Sequence, residues 1–316
     1  MIARRTTLLA LALPLATPFI ARAQDLRSGR LIVPYGPGGS SDVMGRILAA
    51  QAGNWVVENR GGGASIPGTQ AVANAPGDGS VIGTADNALV VNAALLKERV
   101  PYQLGRDIVA LGLAVTAPLL LLAHPNAPAQ TVPAILAEAR RTSGGLSLSH
   151  GGNGTPTHLA ALQMQIASGL DLNMISYRGG GPQLTGLVSG EVNYGFVAIS
   201  SAFGHVEGGR LKPVAISGPV RNPQMPNVPT ITEAGLAGVD VVGWWGFIAP
   251  GSTPPALLER LNERMVQPAR SGETRERLEG LGYTVVASRP GDFAARIQRE
   301  VPEWTAIFEK AGVKPD

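Results

Sequence analysis

The chain has 316 residues, 26 lysines and arginines, 23 aspartates and glutamates, and no cysteine. That length supports a large core and two lobes, while the lack of cysteine excludes a disulfide framework and thiolate metal sites. Arg4, Arg5 and Arg22 supply the whole basic excess, so beyond residue 23 the two signs balance and no global positive field points to nucleic acid or acidic membranes.

In chain order, Arg4-Arg5 is followed by an apolar stretch from Leu8 to Ile20 and then by Ala21-Arg22-Ala23. This is the pattern of a cleaved export signal covering residues 1–23, with the exported mature chain starting at Gln24. The arginine pair also fits a twin-arginine export route. Pro14 and Pro18 interrupt the apolar stretch, which is too short for a comfortable membrane span.

Downstream, short β-rich runs alternate with helical patterns. The runs predict strands over Gly29–Val33, Trp55–Glu58, Val81–Thr84, Ile108–Val115 and Leu119–His124. Further strands are expected over Leu146–Ser149, Met174–Tyr177, Tyr194–Ala198, Val214–Ser217 and Val242–Ala249. Helices are expected over Asp42–Gln51, Ile66–Asn74, Ala88–Leu95, Val132–Arg140 and Thr157–Gly169, then Pro182–Ser189, Pro255–Ala269, Gly272–Leu281 and Pro290–Ala311. The alternation points to an α/β architecture with a mainly parallel sheet in each lobe. The continuous apolar runs at 119–123 and 241–249 read as two crossing strands. On that reading lobe 1 is 24–125 plus 241–316, and lobe 2 is 126–240.

The chemistry concentrates in glycine loops. Pro34-Tyr35-Gly36-Pro37-Gly38-Gly39-Ser40-Ser41-Asp42 joins an apolar strand to a helix, with Ser40 placed to cap and Asp42 in the first turn. Such a loop is either a tight turn or an anion cradle, because backbone N–H groups and the helix dipole both favour negative charge there. It half-matches a dinucleotide fingerprint, with Glu58 near the ribose position. Ser41 replaces the third glycine, however, and an exported protein has little access to that cofactor. A second strand, loop and helix start is His150-Gly151-Gly152-Asn153-Gly154-Thr155-Pro156-Thr157-His158. Two cradles, one per lobe, suit closure on a small anion. A third turn, Tyr177-Arg178-Gly179-Gly180-Gly181-Pro182, offers Arg178 either as a carboxylate clamp or as a solvated surface cation. The polar groups of Thr84-Ala85-Asp86-Asn87 either line a cleft or cap the next helix.

Enzyme signatures are missing: the chain has no cysteine nucleophile, no G-x-S-x-G elbow and no H-E-x-x-H. His150 and His158 lack a third ligand nearby in sequence, so no metal and no cofactor is expected. Trp244-Trp245 reads as ligand stacking or, more simply, as one ring on each face of a hinge strand.

Taken together and in this order, several stretches resemble the tripartite tricarboxylate transporter solute receptors, the Bug family. They are the loop from Leu31 to Asp42, Val56-Val57-Glu58-Asn59-Arg60, Ala75-Pro76-Gly77-Asp78-Gly79 and Gly152 to Leu159, followed by Asn227 to Gly235 and Trp244 to Pro250. The resemblance covers nearly the whole mature chain. It implies a two-lobed periplasmic-binding-protein (Venus-flytrap) fold that captures a small carboxylate and delivers it to the membrane permease subunits of a tripartite transporter. It also implies contacts from Tyr35, Gly38, Gly39, Ser40 and Asp42 in one lobe and from Gly152, Asn153, Gly154 and Thr155 in the other, with Thr84 and Tyr177 lining the cleft. His150 and Arg178 join these as candidate positions where the chain departs from the family pattern, as it also does at Asn193 and Gly61. Because the second-lobe loops offer few acids, ligands without an ammonium group are expected. A monomer is expected too. The alternatives are a ligand-sensing receptor feeding a membrane sensor kinase and, further off, a periplasmic α/β enzyme.

Overall fold

The computed structural model describes residue 26 and residues 28–311. The expected export signal, residues 1–23, lies outside the described residues. Within them the strands are β1 (Ser28–Val33), β2 (Asn54–Asn59), β3 (Val81–Asp86), β4 (Ile108–Ala123) and β5 (Leu146–His150), then β6 (Leu172–Ser176), β7 (Tyr194–Ala198), β8 (Lys212–Ile216), β9 (Val242–Pro250) and β10 (Thr284–Val285). The helices are α1 (Ser40–Ala52), α2 (Ile66–Ala73), α3 (Ala88–Leu95), α4 (Val132–Ala139) and α5 (Pro156–Ser168), then α6 (Gly180–Ser189), α7 (Ile199–Glu207), α8 (Pro255–Met265), α9 (Gly272–Gly280) and α10 (Pro290–Ala311).

The strands form one sheet in the order β2-β1-β3-β9-β4-β7-β5-β6, with β8 and β10 also pairing β4. Each half holds a parallel trio: β1 between β2 and β3, and β5 between β6 and β7. The antiparallel pairs all involve β4 or β9. This is the two-lobed α/β binding-protein fold, with parallel strands in each lobe and antiparallel strands at the join.

The sequence runs at 108–115 and 119–124 belong to a single strand of sixteen residues. From Ile108 to Pro118 β4 pairs with β9; from Leu119 to Ala123 it pairs with β7 and, over most of that stretch, with β8. Leu119 through Ala123 are all fully buried, as an apolar run covered on both faces requires. Pro118 did not split the strand because it falls where β4 leaves one partner and takes another, a place where a missing N–H donor is tolerated. The chain re-enters the first half beside this switch. The Leu119 N–H donates to Ser217 Oγ (2.9 Å), and that hydroxyl donates to the Val241 carbonyl (2.6 Å).

Most expected elements lie within a few residues of their predicted ends. Pattern reading missed α7, although Ile199, Ala202, Phe203 and Val206 make a short apolar stripe, because this nine-residue helix follows β7 without an intervening loop. The predicted helix from Pro255 to Ala269 stops at Met265 and continues as a 3-10 turn over Gln267–Arg270. Helices α8 to α10 return to the first half and pack on α1, α3 and β4.

Candidate functional site

The first glycine loop is shaped by Asp42. Its Oδ2 accepts from the Gly38 N–H (3.0 Å) and from Arg46 Nε (2.9 Å), and its Oδ1 accepts from Asn59 Nδ2 (2.9 Å). Asn59 Nδ2 also donates to the Tyr35 carbonyl (3.1 Å), so the end of β2 supports the loop. Burial raises the Asp42 carboxyl, but Arg46, the Gly38 N–H and Asn59 outweigh it and hold the group below its ordinary range. Gly38 turns the chain at φ +87°, a conformation in which a side chain is strained. Ser40 and Ser41 open α1. Ser40 Oγ reaches Ser200 Oγ (2.7 Å) and Ser201 Oγ (3.1 Å) at the start of α7, and the Ser40 carbonyl accepts from Tyr283 OH (2.8 Å). Ser41 Oγ is buried without a partner.

The second loop is braced by neutral groups. The Gly151 N–H donates to Thr157 Oγ1 (2.9 Å), the Gly152 N–H to His150 Nδ1 (3.3 Å) and the Gly154 N–H to His158 Nδ1 (3.1 Å). Thr155 caps α5 by accepting from the His158 N–H (3.4 Å), and its hydroxyl donates to the Gly152 carbonyl (2.6 Å). Both imidazoles accept at Nδ1, so both rings are neutral. Their centroids lie 4.5 Å apart. Burial, then the neighbouring His158, lowers His150 to about 3. Among the described residues no cluster of three metal-ligating side chains accompanies them.

The third turn meets the first loop directly. The Gly36 N–H donates to the Arg178 carbonyl (3.1 Å). Gly39 lies against Gly180, and a Cβ on Gly181 would run into the Pro37 carbonyl. Loops of the two halves thus touch through main chain, in a closed arrangement.

Between them lies a cavity of about 40 Å³. Gly39, Ser40 and Ser41 reach it from the start of α1; Thr155, Pro156 and Thr157 from α5; Gly180 and Gln183 from α6; Ala198 and Ser201 from α7. Four helix N-termini therefore converge on one space. Tyr35, Asp86 and Trp245 complete much of the wall, and among the described residues no lysine, arginine or histidine lines it. Asp86 Oδ1 accepts from Tyr35 OH (2.8 Å) and from the Ala88 N–H (2.9 Å), so it caps α3 while facing the cleft. Burial pushes the Asp86 carboxyl up to about 6, against those two donors. Tyr35, deeply buried beside that carboxylate, is raised well above its ordinary value. Trp245 packs edge-on to Tyr283, whereas Trp244 points the other way, edge-on to Phe293, with its Nε1 donating to Glu300 (2.8 Å). The two rings do take opposite faces of β9.

Of the residues singled out in the sequence, Tyr35, Gly39, Ser40 and Thr155 line this cavity. Gly152, Asn153, Tyr177 and Arg178 line an adjoining space of about 220 Å³ that shares Tyr35 and Gly151 with the first. Gly38, Asp42, Gly154, Thr84 and His150 lie behind the walls. Gly38 packs on Gly181, Gly154 leans on Ala88 and Val91 of α3, and Thr84 sits beneath Gly45 of α1. Asp42 and His150 hold the loops from behind. Ser41, Thr157, Gln183 and Ser201 were not singled out as contacts, yet they line the cavity, as do Asp86 and Trp245, for which the sequence left a cleft role as one of two readings. Ser41 and Thr157 were legible as first-turn residues next to loop glycines. Gln183 and Ser201 carry no local signal, because their helices reach the cleft only through the tertiary fold.

A closed two-lobed α/β molecule with helix starts around an interlobe space belongs to the class of solute-binding receptors. The sequence matches the tripartite tricarboxylate transporter family receptor profile (TctC) over residues 42–313, and the chain belongs to that family, whose members are substrate-binding receptors and not enzymes. It is 33% identical over 97% of its length to a protein encoded in the tcbD–tcbE intergenic region of Pseudomonas sp. strain P51, covering 94% of that protein. It is 28% identical to BugT of Bordetella pertussis, over 95% of this chain and 94% of that one. Among solved structures it superimposes on the periplasmic binding protein BugD with a TM-score of 0.87 at 27% identity, covering 92% of this chain and 99% of that one. MatC of Rhodopseudomonas palustris, solved with bound malate, matches with a TM-score of 0.83 at 27% identity, over 89% and 98% of the two chains.

Proposed function

We propose that this receptor captures a small carboxylate in the interlobe cavity and hands it to the membrane permease of a tripartite tricarboxylate-type transporter. The observation that carries the reading is the convergence of four helix N-termini on a space with no cationic side chain among the described residues. A helix N-terminus carries a partial positive charge, worth about 0.3–1 kcal/mol toward an anion and up to about 2 when partly buried. Four together can hold a carboxylate without the larger cost of burying a lysine or arginine. The malate in the related MatC supports the ligand class. Residues 1–23 act as the export signal, and lobes 24–125 plus 241–316 and 126–240 close about β4 where its pairing switches at Leu119. Ligand contacts to both lobes favour the closed form. The receptor works as a monomer.

The test uses the full chain expressed with its own leader. The protein should be recovered from the periplasm starting at Gln24, and a panel of mono-, di- and tricarboxylates should contain at least one that raises its melting temperature. At about a hundredfold excess over Kd such a ligand adds about 2.7 kcal/mol of stability. In cells, uptake of that carboxylate should require both the receptor and a two-component permease. A sugar or metal that stabilises the protein where every carboxylate fails would sink the proposal.

A further inference from the structure

The cavity wall is not uniformly suited to an anion. Its helix starts donate, but two of its side chains can only accept. Asp86 is 4% exposed, with one carboxylate oxygen already holding Tyr35 OH and the Ala88 N–H. Burial lifts its carboxyl to about 6, and while ionised the group can only accept. Gln183 is fully buried. Its Nε2 donates to the Ser149 carbonyl (2.9 Å) and the Phe196 carbonyl (2.8 Å), tying β5 to β7. A flipped amide would set Oε1 against two carbonyl oxygens, so the orientation is fixed. Oε1 is therefore a committed acceptor. It lies beside the cavity-lining Gly151, buried and without a partner.

A buried acceptor without a donor costs free energy, and a second anion beside a buried carboxylate is repelled. A plain carboxylate matches the helix starts but brings no donor to the unpartnered Gln183 Oε1 and sets a second charge beside Asp86. A ligand hydroxyl can donate to one of these acceptors, and an ammonium, with three N–H groups, to both. We propose that Asp86 and Gln183 form an acceptor subsite that selects carboxylates bearing a hydrogen-bond donor close to the bound carboxylate, that is, hydroxy or amino acids. This rests on the carboxylate reading above and narrows it. It also reverses the expectation that ammonium-bearing ligands are disfavoured: the acid that such a ligand needs comes from the end of β3, not from the second-lobe loops.

Calorimetry on the mature protein with ligand trios matched in length tests the subsite: propionate, lactate and alanine; succinate, malate and aspartate; glutarate, 2-hydroxyglutarate and glutamate. In the trio that fits, the hydroxyl or ammonium member should bind at least about tenfold tighter than the plain one, since a site built for a donor rejects the analogue lacking it. Asp86→Asn keeps an oxygen for Tyr35 and Ala88 but loses the charge. It should cut the advantage of an ammonium ligand by about tenfold or more and that of a hydroxyl ligand by less. The wild-type series stands alone if that variant does not fold. Equal or tighter binding of the plain member, or binding of donor-free carboxylates only, overturns the subsite and leaves the carboxylate receptor intact. Failure of every carboxylate, with binding of a sugar, removes the receptor reading and the subsite together.

Discussion

The two principal glycine loops occupy equivalent places, each between a strand and a helix start, and they are held rigid by opposite chemistries. The loop before α1 is held by charge: Asp42 gathers a main-chain N–H, a guanidinium and an amide. The loop before α5 is held by neutral acceptors, two imidazoles and two threonine hydroxyls that take the N–H groups of Gly151, Gly152, Gly154 and His158. A charged brace is strong but must be ionised. A neutral imidazole brace needs the ring to stay unprotonated. The same geometry can therefore be reached by two routes that fail under different conditions.

The comparison is broken most severely by Asp42→Ala. That change leaves the Gly38 N–H, Arg46 and Asn59 without their common acceptor and should cost about 3 kcal/mol in urea unfolding, as for a partly buried pair that loses one member. It should also weaken carboxylate binding, although Asp42 lies outside the cavity. Normal binding by a destabilised Asp42→Ala protein would show that the brace does not shape the cradle.

A pH comparison sharpens the contrast. His150 is lowered to about 3 from an ordinary value near 6.5, so its share of stability is intact above pH 6.5 and is lost as pH falls toward 3. Asp42, lowered below its ordinary 3.8, keeps its contribution until the pH drops beneath that value. Asp86, raised to about 6, acts with the opposite sign and gains as the pH falls, so the informative quantity is the difference between variant and wild type. Between pH 7 and pH 5 that difference for His150→Gln should move by about 2 kcal/mol in favour of the variant, whereas Asp42→Asn should show no such drift. Equal drifts in the two variants would erase the distinction between the loops.

The smallest effect expected is that of Thr155→Ala. The change removes the α5 cap and the hydroxyl bond to Gly152, and should cost about 1 kcal/mol at every pH from 5 to 8. Chemical denaturation at three pH values would check it; a pH-dependent loss would tie the threonine to the imidazole pair.

What could be read from the sequence follows from how local each signal is. The glycine loops, the strands before them and the helices after them are encoded within a dozen residues each, and they lie where the sequence suggests. The roles of Asp42 and His150 were less legible. Both sit at the loops, and the pairings of Asp42 with Arg46 one helical turn on and with Asn59 of β2, and of His150 with His158, reveal that they brace the loops from behind. Asp86 stood in a segment read as cleft wall or helix cap, and it serves as both. Thr84, two residues earlier, shares that face of β3 but sits further back, beneath Gly45 of α1 and away from the cavity lining. Ser201 was invisible, because nothing near it in sequence states that α7 begins at the cleft, and although the third glycine turn flags the start of α6, nothing there singles out the Gln183 amide.

The meeting of Gly36, Gly39 and Pro37 with Arg178, Gly180 and Gly181 is made by main-chain atoms. A latch without side chains freezes almost no rotamers and buries little apolar surface. Such a latch adds little adhesive strength to the hydroxyl contacts of Ser40 with Ser200 and Ser201, so in the proposed receptor cargo would supply much of what keeps the jaws together. Residues that read the cargo can then change from one receptor to another without altering the latch, because recognition and fastening are carried by different atoms.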